Sequence, residues 1–282
     1  MIHGVLNVYK EKGFTSHDVV AKLRGITGQR KIGHTGTLDP DATGVLPVCL
    51  GRATKLCDML TDKDKTYEAV LLLGKTTDTQ DISGQVLSTM DTSYLQEEEV
   101  QRTIEQFVGE YAQIPPMYSA LKVNGRKLYE LAREGKVVER KARLVRIHEI
   151  RILEMRLPRV RMEVTCSKGT YIRTLCQDIG EKLGCGGCME ELVRTRVSRF
   201  KLAESMTLDE IRRLQEEGTL EKVLVPIDAM FDAYKKMFVK ERWDSLAKNG
   251  NALPARAVVC ACGHKEDQDM KEKTDLGMED QE

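Results

Sequence analysis

Asp39 is the residue whose surroundings most suggest chemistry. It stands between Leu38 and Pro40 in the segment GHTGTLDPDATGVLPVCLG, residues 33–51. Proline at 40 disfavours the helical region for Asp39 and pushes it toward extended geometry. Gly33, Gly36 and Gly44 permit tight turns and close approach of another backbone. The hydroxyls of Thr35, Thr37 and Thr43 are placed to bond the loop to itself. A carboxylate presented in one fixed direction can attack carbon as a nucleophile or remove a proton as a base. The same residues also suit a plain turn in which Asp39 caps neighbouring N–H groups. A phosphate-binding loop is excluded, because GxxxxGK[ST] is absent. His34, Asp39 and Asp41 have no companions at a recognisable metal spacing.

The elements that must position this loop follow from periodicity and capping. SHDVVAKLRG reads as a helix with Ser16 as N-cap, Val19, Val20 and Leu23 on one face, and Gly25 as its end. YEAVLLLG, residues 67–74, reads as a buried strand. Val100, Ile104, Phe107 and Val108 share a face and predict a helix running up to Gly109. Residues 145–157 and 159–166 alternate in part and predict two strands. Thr207 and Glu210 match a capping box ahead of IRRLQEEG. Strands and helices mix without a strict βαβ rhythm. This favours an α+β fold with a mixed or antiparallel sheet over a doubly wound one.

The chain has 282 residues, enough for a substantial core. Its net charge is zero, yet residues 101–200 carry 20 basic and 12 acidic groups. Such a basic middle suits contact with a polyanion, or else a solvated face of mixed charge. Aromatic residues are only 5%, so any stacking surface rests on a few nameable side chains. No secretory signal and no apolar run of membrane-spanning length is visible, so a cytoplasmic protein is expected. Its cysteines are then reduced thiols. Cys185 and Cys188 make a CxxC, but zinc would need them to meet Cys260, Cys262 and His264 in space, and CxC is not the usual structural spacing, so these cysteines read as buried or idle. The last twenty residues, 263–282, hold 8 acids and 3 lysines and read as an acidic disordered tail.

Taken together, GHTGTLDPDATGVLPVCLGRATK, KTYEAVLLLGKTTDTQDISG (65–84), IPPMYSALKVNGRKLYELAREG (114–135), CSKGTYIRTLCQDIGEKLGCGG (166–187) and LVRTRVSRF (192–200) resemble the bacterial tRNA pseudouridine synthase B family, in the family's order. The resemblance covers roughly residues 4–228. It implies isomerisation of uridine-55 in the T loop of tRNA. It also implies the pseudouridine synthase fold, a mixed and mostly antiparallel sheet with helices. By this resemblance Asp39 is the catalytic aspartate, Arg173 its ion-pair partner, and Tyr67 the tyrosine that stacks on the target base. Tyr171 and Leu192 fall on substrate-contacting positions, and His34 on the histidine that enters the T loop. Lys10 matches a lysine near the N-terminus and Asp81 the acid of TDTxDxxG, and the resemblance puts both among the substrate-binding residues.

The reaction breaks N1–C1′ of uridine, turns the base and joins C5 to C1′. Nothing is oxidised or hydrolysed, so no cofactor, nucleotide or metal is required. Asp39 would attack C1′ or remove a proton from C2′, with Arg173 as countercharge; the sequence leaves both routes open. Tyr67 would offer a flat face for the base and a phenol able to assist proton transfer. Lysines and arginines at 122, 126, 127, 133, 136, 140, 141 and 143 suit phosphate contact, in an RNA-clamping insert near 115–145.

The expected organisation is a catalytic domain over 1–228, a short or incomplete PUA-like RNA-binding region over 229–262, and the tail. Two departures from the family stand out. Glu11 occupies a place usually held by proline, and CACGHKEDQDMKEKTDLGMEDQE replaces the strands expected after residue 259. Two other readings are a guide-RNA-dependent pseudouridine synthase and an RNA-folding chaperone with secondary or lost chemistry. A monomer is expected from the family.

Overall fold

The computed structural model describes residues 1–260. They divide into two compact units, Met1–Val225 and a second beginning at Pro226. The first unit runs β1 (Gly4–Lys10), α1 (Ser16–Thr27), β2 (Ile32–His34), β3 (Thr43–Leu50), α2 (Cys57–Thr61), β4 (Lys65–Leu73), β5 (Lys75–Thr77) and β6 (Val86–Thr89). It continues through α3 (Glu97–Glu105), β7 (Gly109–Gln113), β8 (Lys122–Val123), β9 (Arg126–Lys127), α4 (Leu128–Arg133) and β10 (Arg143–Arg156). It ends with β11 (Arg159–Cys166), α5 (Ile172–Lys182), β12 (Gly187–Val197), β13 (Phe200–Lys201) and α6 (Leu208–Glu216). The second unit holds β14 (Met237–Val239), α7 (Asp244–Lys248) and β15 (Val258–Cys260), with β14 antiparallel to β15.

One nine-stranded sheet organises the first unit, in the order β1-β3-β12-β4-β11-β10-β7, with β2 on β3 and β13 on β12. All its pairings are antiparallel except β3 with β12. The fold is therefore α+β with a mixed, mostly antiparallel sheet, as the sequence pattern implies.

Two apolar clusters hold it together. The larger packs Val100 and Ile104 of α3 and Ile172, Leu175 and Ile179 of α5 against Ala69, Leu71 and Leu73 of β4 and Val160, Met162 and Val164 of β11. The smaller packs Val19, Val20 and Leu23 of α1 and Leu208 and Ile211 of α6 onto Leu6, Val8, Leu46, Val48 and Leu50 of β1 and β3. Each of the valine, leucine, isoleucine and methionine side chains contributes about 1.5–3 kcal/mol by leaving water.

Several local expectations need correction. Thr15, not Ser16, caps α1: its Oγ1 accepts from the Asp18 N–H at 3.1 Å, and Asp18 Oδ2 accepts from the Thr15 N–H at 2.8 Å. The helix passes through Gly25 and stops at Gly28, whose φ of 62° is the left-handed geometry of a C-cap. A glycine inside a helix costs only about 1 kcal/mol, so Gly25 does not end it. The next helix, α3, ends at Glu105, short of Gly109. Phe107 then meets Tyr111 edge-on, ring centroids 5.3 Å apart, while Val108 turns to solvent as the chain enters β7.

Cys185 and Cys188 are free and buried, and burial pushes the Cys188 thiol up to about 11. Cys262, His264 and the acidic tail lie outside the described residues. Among the described residues no helix is long and apolar enough to cross a membrane.

Candidate active site

The loop carrying Asp39 joins β2 to β3. Leu38 and Ala42 turn inward and join Tyr67 and Leu192 in the larger apolar cluster. Asp39 turns the other way, and 39% of its side chain reaches solvent. Ser16 grips the loop from α1, its hydroxyl accepting from the Leu38 N–H at 3.0 Å. Lys10 grips it from β1. Its Nζ donates to the carbonyls of Glu11 at 3.1 Å, Phe14 at 2.7 Å and Pro40 at 3.0 Å.

Lys10 was expected among the substrate-binding residues. It is instead fully buried behind the loop, with its three protons given to carbonyls. Burial lowers its pKa to about 8, against the pull of nearby Asp39. Nor does the loop hold itself by all its threonines, because the Thr35 hydroxyl is buried without a hydrogen-bond partner.

The loop feeds into β3 where β3 runs parallel to β12, with Gly44 beside Arg194. Gly44 has φ +109°, and a Cβ there would lie 2.2 Å from the Arg194 carbonyl oxygen. Only glycine lets the two strands approach this closely.

Arg173 lies in the first turn of α5. The start of that helix is pinned by buried Gln113, whose amide accepts from the Tyr171 N–H at 2.8 Å and donates to its carbonyl at 3.0 Å. Arg173 Nε lies 2.9 Å from Asp39 Oδ2, and Nη2 lies 3.3 Å from Oδ1. Nη2 also donates to the Tyr118 carbonyl at 2.9 Å, and Nη1 to the Thr79 carbonyl at 3.1 Å. Asp81 Oδ2 stands 3.8 Å from Nε. One buried guanidinium thus ties together the Asp39 loop, the TDTQD turn and the segment that follows β7.

The TDTQD turn is fixed in its own right. Asp81 Oδ1 accepts from the Thr79 hydroxyl at 2.8 Å and from the Ser83 N–H at 3.0 Å. The Ile82 N–H donates to the Met189 carbonyl of β12 at 2.9 Å. Asp81 therefore orients Arg173 and its own turn; its contacts are internal.

Tyr67 projects from β4, in register with Arg194 of β12 on one side and Val164 of β11 on the other. It is 8% exposed. Burial pushes its phenol above the usual range, and the Arg194 guanidinium opposes that shift. Leu192, two residues before Arg194 on β12, is buried in the same cluster. His34 ends β2 half-buried, edge-on to His17 with ring centroids 5.3 Å apart. Burial, then His17, lowers its pKa, and its Nδ1 accepts from the Gly36 N–H at 3.3 Å. Tyr171 is half-buried at the N-cap of α5, two residues before Arg173.

Two contributors escape sequence reasoning, Gln113 and Arg194. Arg194 did carry a signal: it shares its inward parity on β12 with Leu192.

The basic segment is less free than its composition suggests. Arg126 and Lys136 both pair with Glu134, and Arg140 donates to the Pro115 carbonyl at 3.0 Å. Arg133 lies over the Tyr129 ring. Lys122, Lys141 and Arg143 are exposed.

Residues 24–172 match the model of the TruB family pseudouridylate synthase N-terminal domain, and residues 173–232 match that of the tRNA pseudouridylate synthase B C-terminal domain. The chain belongs to the TruB family. A tRNA pseudouridine synthase B of Lachnoclostridium phytofermentans is 58% identical over 260 residues, covering 89% of this chain and 84% of that protein. One of Bacillus pumilus is 46% identical, covering 90% and 84%. Among solved structures, a Cbf5-Nop10-Gar1 complex aligns with TM-score 0.72 and 30% identity, over 90% of this chain and 69% of that one. An H/ACA RNP bound to a substrate RNA containing 2′-deoxyuridine aligns with TM-score 0.69 and 28% identity, over 91% and 69%. These TruB-family and Cbf5 likenesses agree with the mixed, mostly antiparallel sheet.

Proposed function

We propose that this TruB-family chain isomerises uridine-55 to pseudouridine in the T loop of tRNA, with Asp39 as the catalytic carboxylate. The observation that carries the reading is the Asp39–Arg173 pair. The arginine side chain is 5% exposed and the carboxylate 39%, so the countercharge is fixed in the protein while the acid faces outward. A carboxylate so aimed serves either attack on C1′ or proton removal from C2′. Neither route draws on a cofactor. The curated relatives at 46–58% identity, named tRNA pseudouridine synthase B, support tRNA as the substrate, ahead of the H/ACA RNP and Cbf5-Nop10-Gar1 complexes aligned at 28–30%.

Apart from those of Lys10 and Asp81, the remaining roles are those the family resemblance implies. Tyr67 stacks on the flipped base, and Leu192 walls the pocket beside it. Unstacking a base costs a few kcal/mol, which these contacts offset. His34 fills the vacated place in the loop, and Tyr171 contacts the nucleotide beside Arg173. Lys10 and Asp81 act from behind, holding Asp39 and Arg173. The segment near 115–145 clamps the T arm, with Lys122, Lys141 and Arg143 as phosphate contacts. Residues 1–228 then form the catalytic domain, with a PUA-like region following it, and the enzyme works as a cytoplasmic monomer.

The reading is tested by treating an unmodified tRNA transcript with purified protein and mapping pseudouridine by carbodiimide modification and primer extension. One stop adjacent to position 55 is the expected outcome. Pseudouridine elsewhere, or none in a tRNA that binds, contradicts it.

A further inference from the structure

Arg194 is the largest fully buried side chain among the described residues, at 1% exposure, and none of the roles above uses it. Its Nε donates to the Val45 carbonyl at 2.7 Å and its Nη1 to the Thr37 carbonyl at 3.3 Å. Its Nη2 is buried with no hydrogen-bond partner. No carboxylate among the described residues pairs with it; Asp39 is taken by Arg173. A buried cation with an unfilled donor weakens a fold, and an apolar residue there would avoid that cost. Its placement is informative. Arg194 lies opposite Tyr67 across the β4–β12 pairing, and beside Gly44, where the Asp39 loop enters β3. Thr37, whose carbonyl it holds, is two residues before Asp39.

We propose that Arg194 is a positioning residue for the isomerisation: it holds the Asp39 loop by two carbonyls and keeps its free Nη2 for the Tyr67 phenol oxygen. The inference rests on the function proposed above. It makes one rigid fork the link between the two sides of the site, the carboxylate that meets the sugar and the ring that meets the base. A guanidinium can do this because its donors point in several fixed directions from one plane. A lysine keeps the charge but offers its protons from one point, whereas the Val45 and Thr37 carbonyls are met here by two separate nitrogens, Nε and Nη1, so a lysine loses the fork that also reaches the phenol.

The test compares the full-length wild type with Arg194→Lys in tRNA binding and in single-turnover tritium release from [5-³H]uridine tRNA. Arg194→Lys is expected to bind tRNA within about twofold of wild type and to react about 10–100-fold more slowly, the range that a small misplacement of reacting groups produces. A merely structural role would lower the melting temperature and leave the rate of the folded, tRNA-bound fraction unchanged; that result overturns the proposal. If wild type releases no tritium, the proposed function fails and the inference with it. If wild type reacts and Arg194→Lys keeps pace, the inference alone fails.

Should Arg194→Lys not fold, Tyr67→Phe carries the test, since it removes only one oxygen. With tRNA bound, when the phenol takes Nη2, amide hydrogen exchange across residues 35–46 should be faster in Tyr67→Phe than in wild type, because the fork then lacks its third anchor. Unchanged exchange there would show that ring and loop are not linked through Arg194.

Discussion

Arg173 Nε lies 2.9 Å from Asp39 Oδ2, and the two residues differ sharply in exposure, 5% against 39% of their side chains. The asymmetry separates support from action. The arginine is anchored by the Thr79 and Tyr118 carbonyls and by Asp81, so it cannot follow the carboxylate. The carboxylate is held at one edge only.

Arg173→Lys should therefore damage both stability and rate. A lysine cannot bridge both aspartate oxygens and two carbonyls at once. The expected loss is about 2–4 kcal/mol in urea unfolding, somewhat below the ~3–5 of a fully buried pair because Asp39 reaches water. Single-turnover tritium release should fall by at least about 100-fold. A variant with wild-type rate would remove Arg173 from the site.

Lys10 gives a prediction with a definite sign. Its folded pKa is lowered to about 8 from 10.5, mainly by burial. Between pH 8 and 10.5 the unfolded chain then holds more protons on this group than the folded one. Unfolding free energy contributed by Lys10 is thus present above the upper value and lost as pH falls through the lower one. Relative to Lys10→Met, the wild type should gain stability from pH 7.5 to 9.5, read by urea midpoints, at up to about 1.4 kcal/mol per pH unit. A difference that shrinks over that range would refute the assignment. Replacing Lys10 should also slow the reaction without weakening tRNA binding, because it touches the loop from behind.

Some of this was legible in the sequence and some was not, for identifiable reasons. The capping box at Thr207 and Glu210 formed as read, since a cap is a local pattern. The cap of α1 lies one residue before the position the sequence suggests, because Thr15 and Ser16 are equally good acceptors. The difference is made by Leu38, 22 residues away, which takes the Ser16 hydroxyl. Asp39 drew attention through its flanking proline and glycines, but nothing local says what faces it. The family resemblance supplied Arg173; the fold brings it there over 134 residues of separation. The resemblance alone puts Lys10 among the substrate contacts; lysines are seldom buried, and only its three carbonyl partners show that this one is. Arg194 carries no motif, and a charge in a strand usually faces solvent; only its parity with Leu192 points inward.

His34 should titrate below its ordinary value of 6.5, because it is buried and faces His17. The stability it contributes is present above 6.5 and lost as pH falls through its folded value. In a histidine C2-proton titration, His17→Gln should raise the His34 pKa while leaving it below or near that of free histidine. A His34 that titrates above 6.5 in the wild type would contradict the buried, His17-facing placement.

In the proposed function Asp39 performs the chemistry while Arg173, Lys10 and Arg194 hold it in place. Asp39→Asn tests this most directly, because it keeps the size of the side chain and removes its charge. Wild type and variant would be compared in tritium release from [5-³H]uridine tRNA, with tRNA binding measured in parallel and no metal or nucleotide added. The expected outcome is bound tRNA and no detectable release from the variant, against full release by wild type. Release by Asp39→Asn at the wild-type rate would place the chemistry elsewhere.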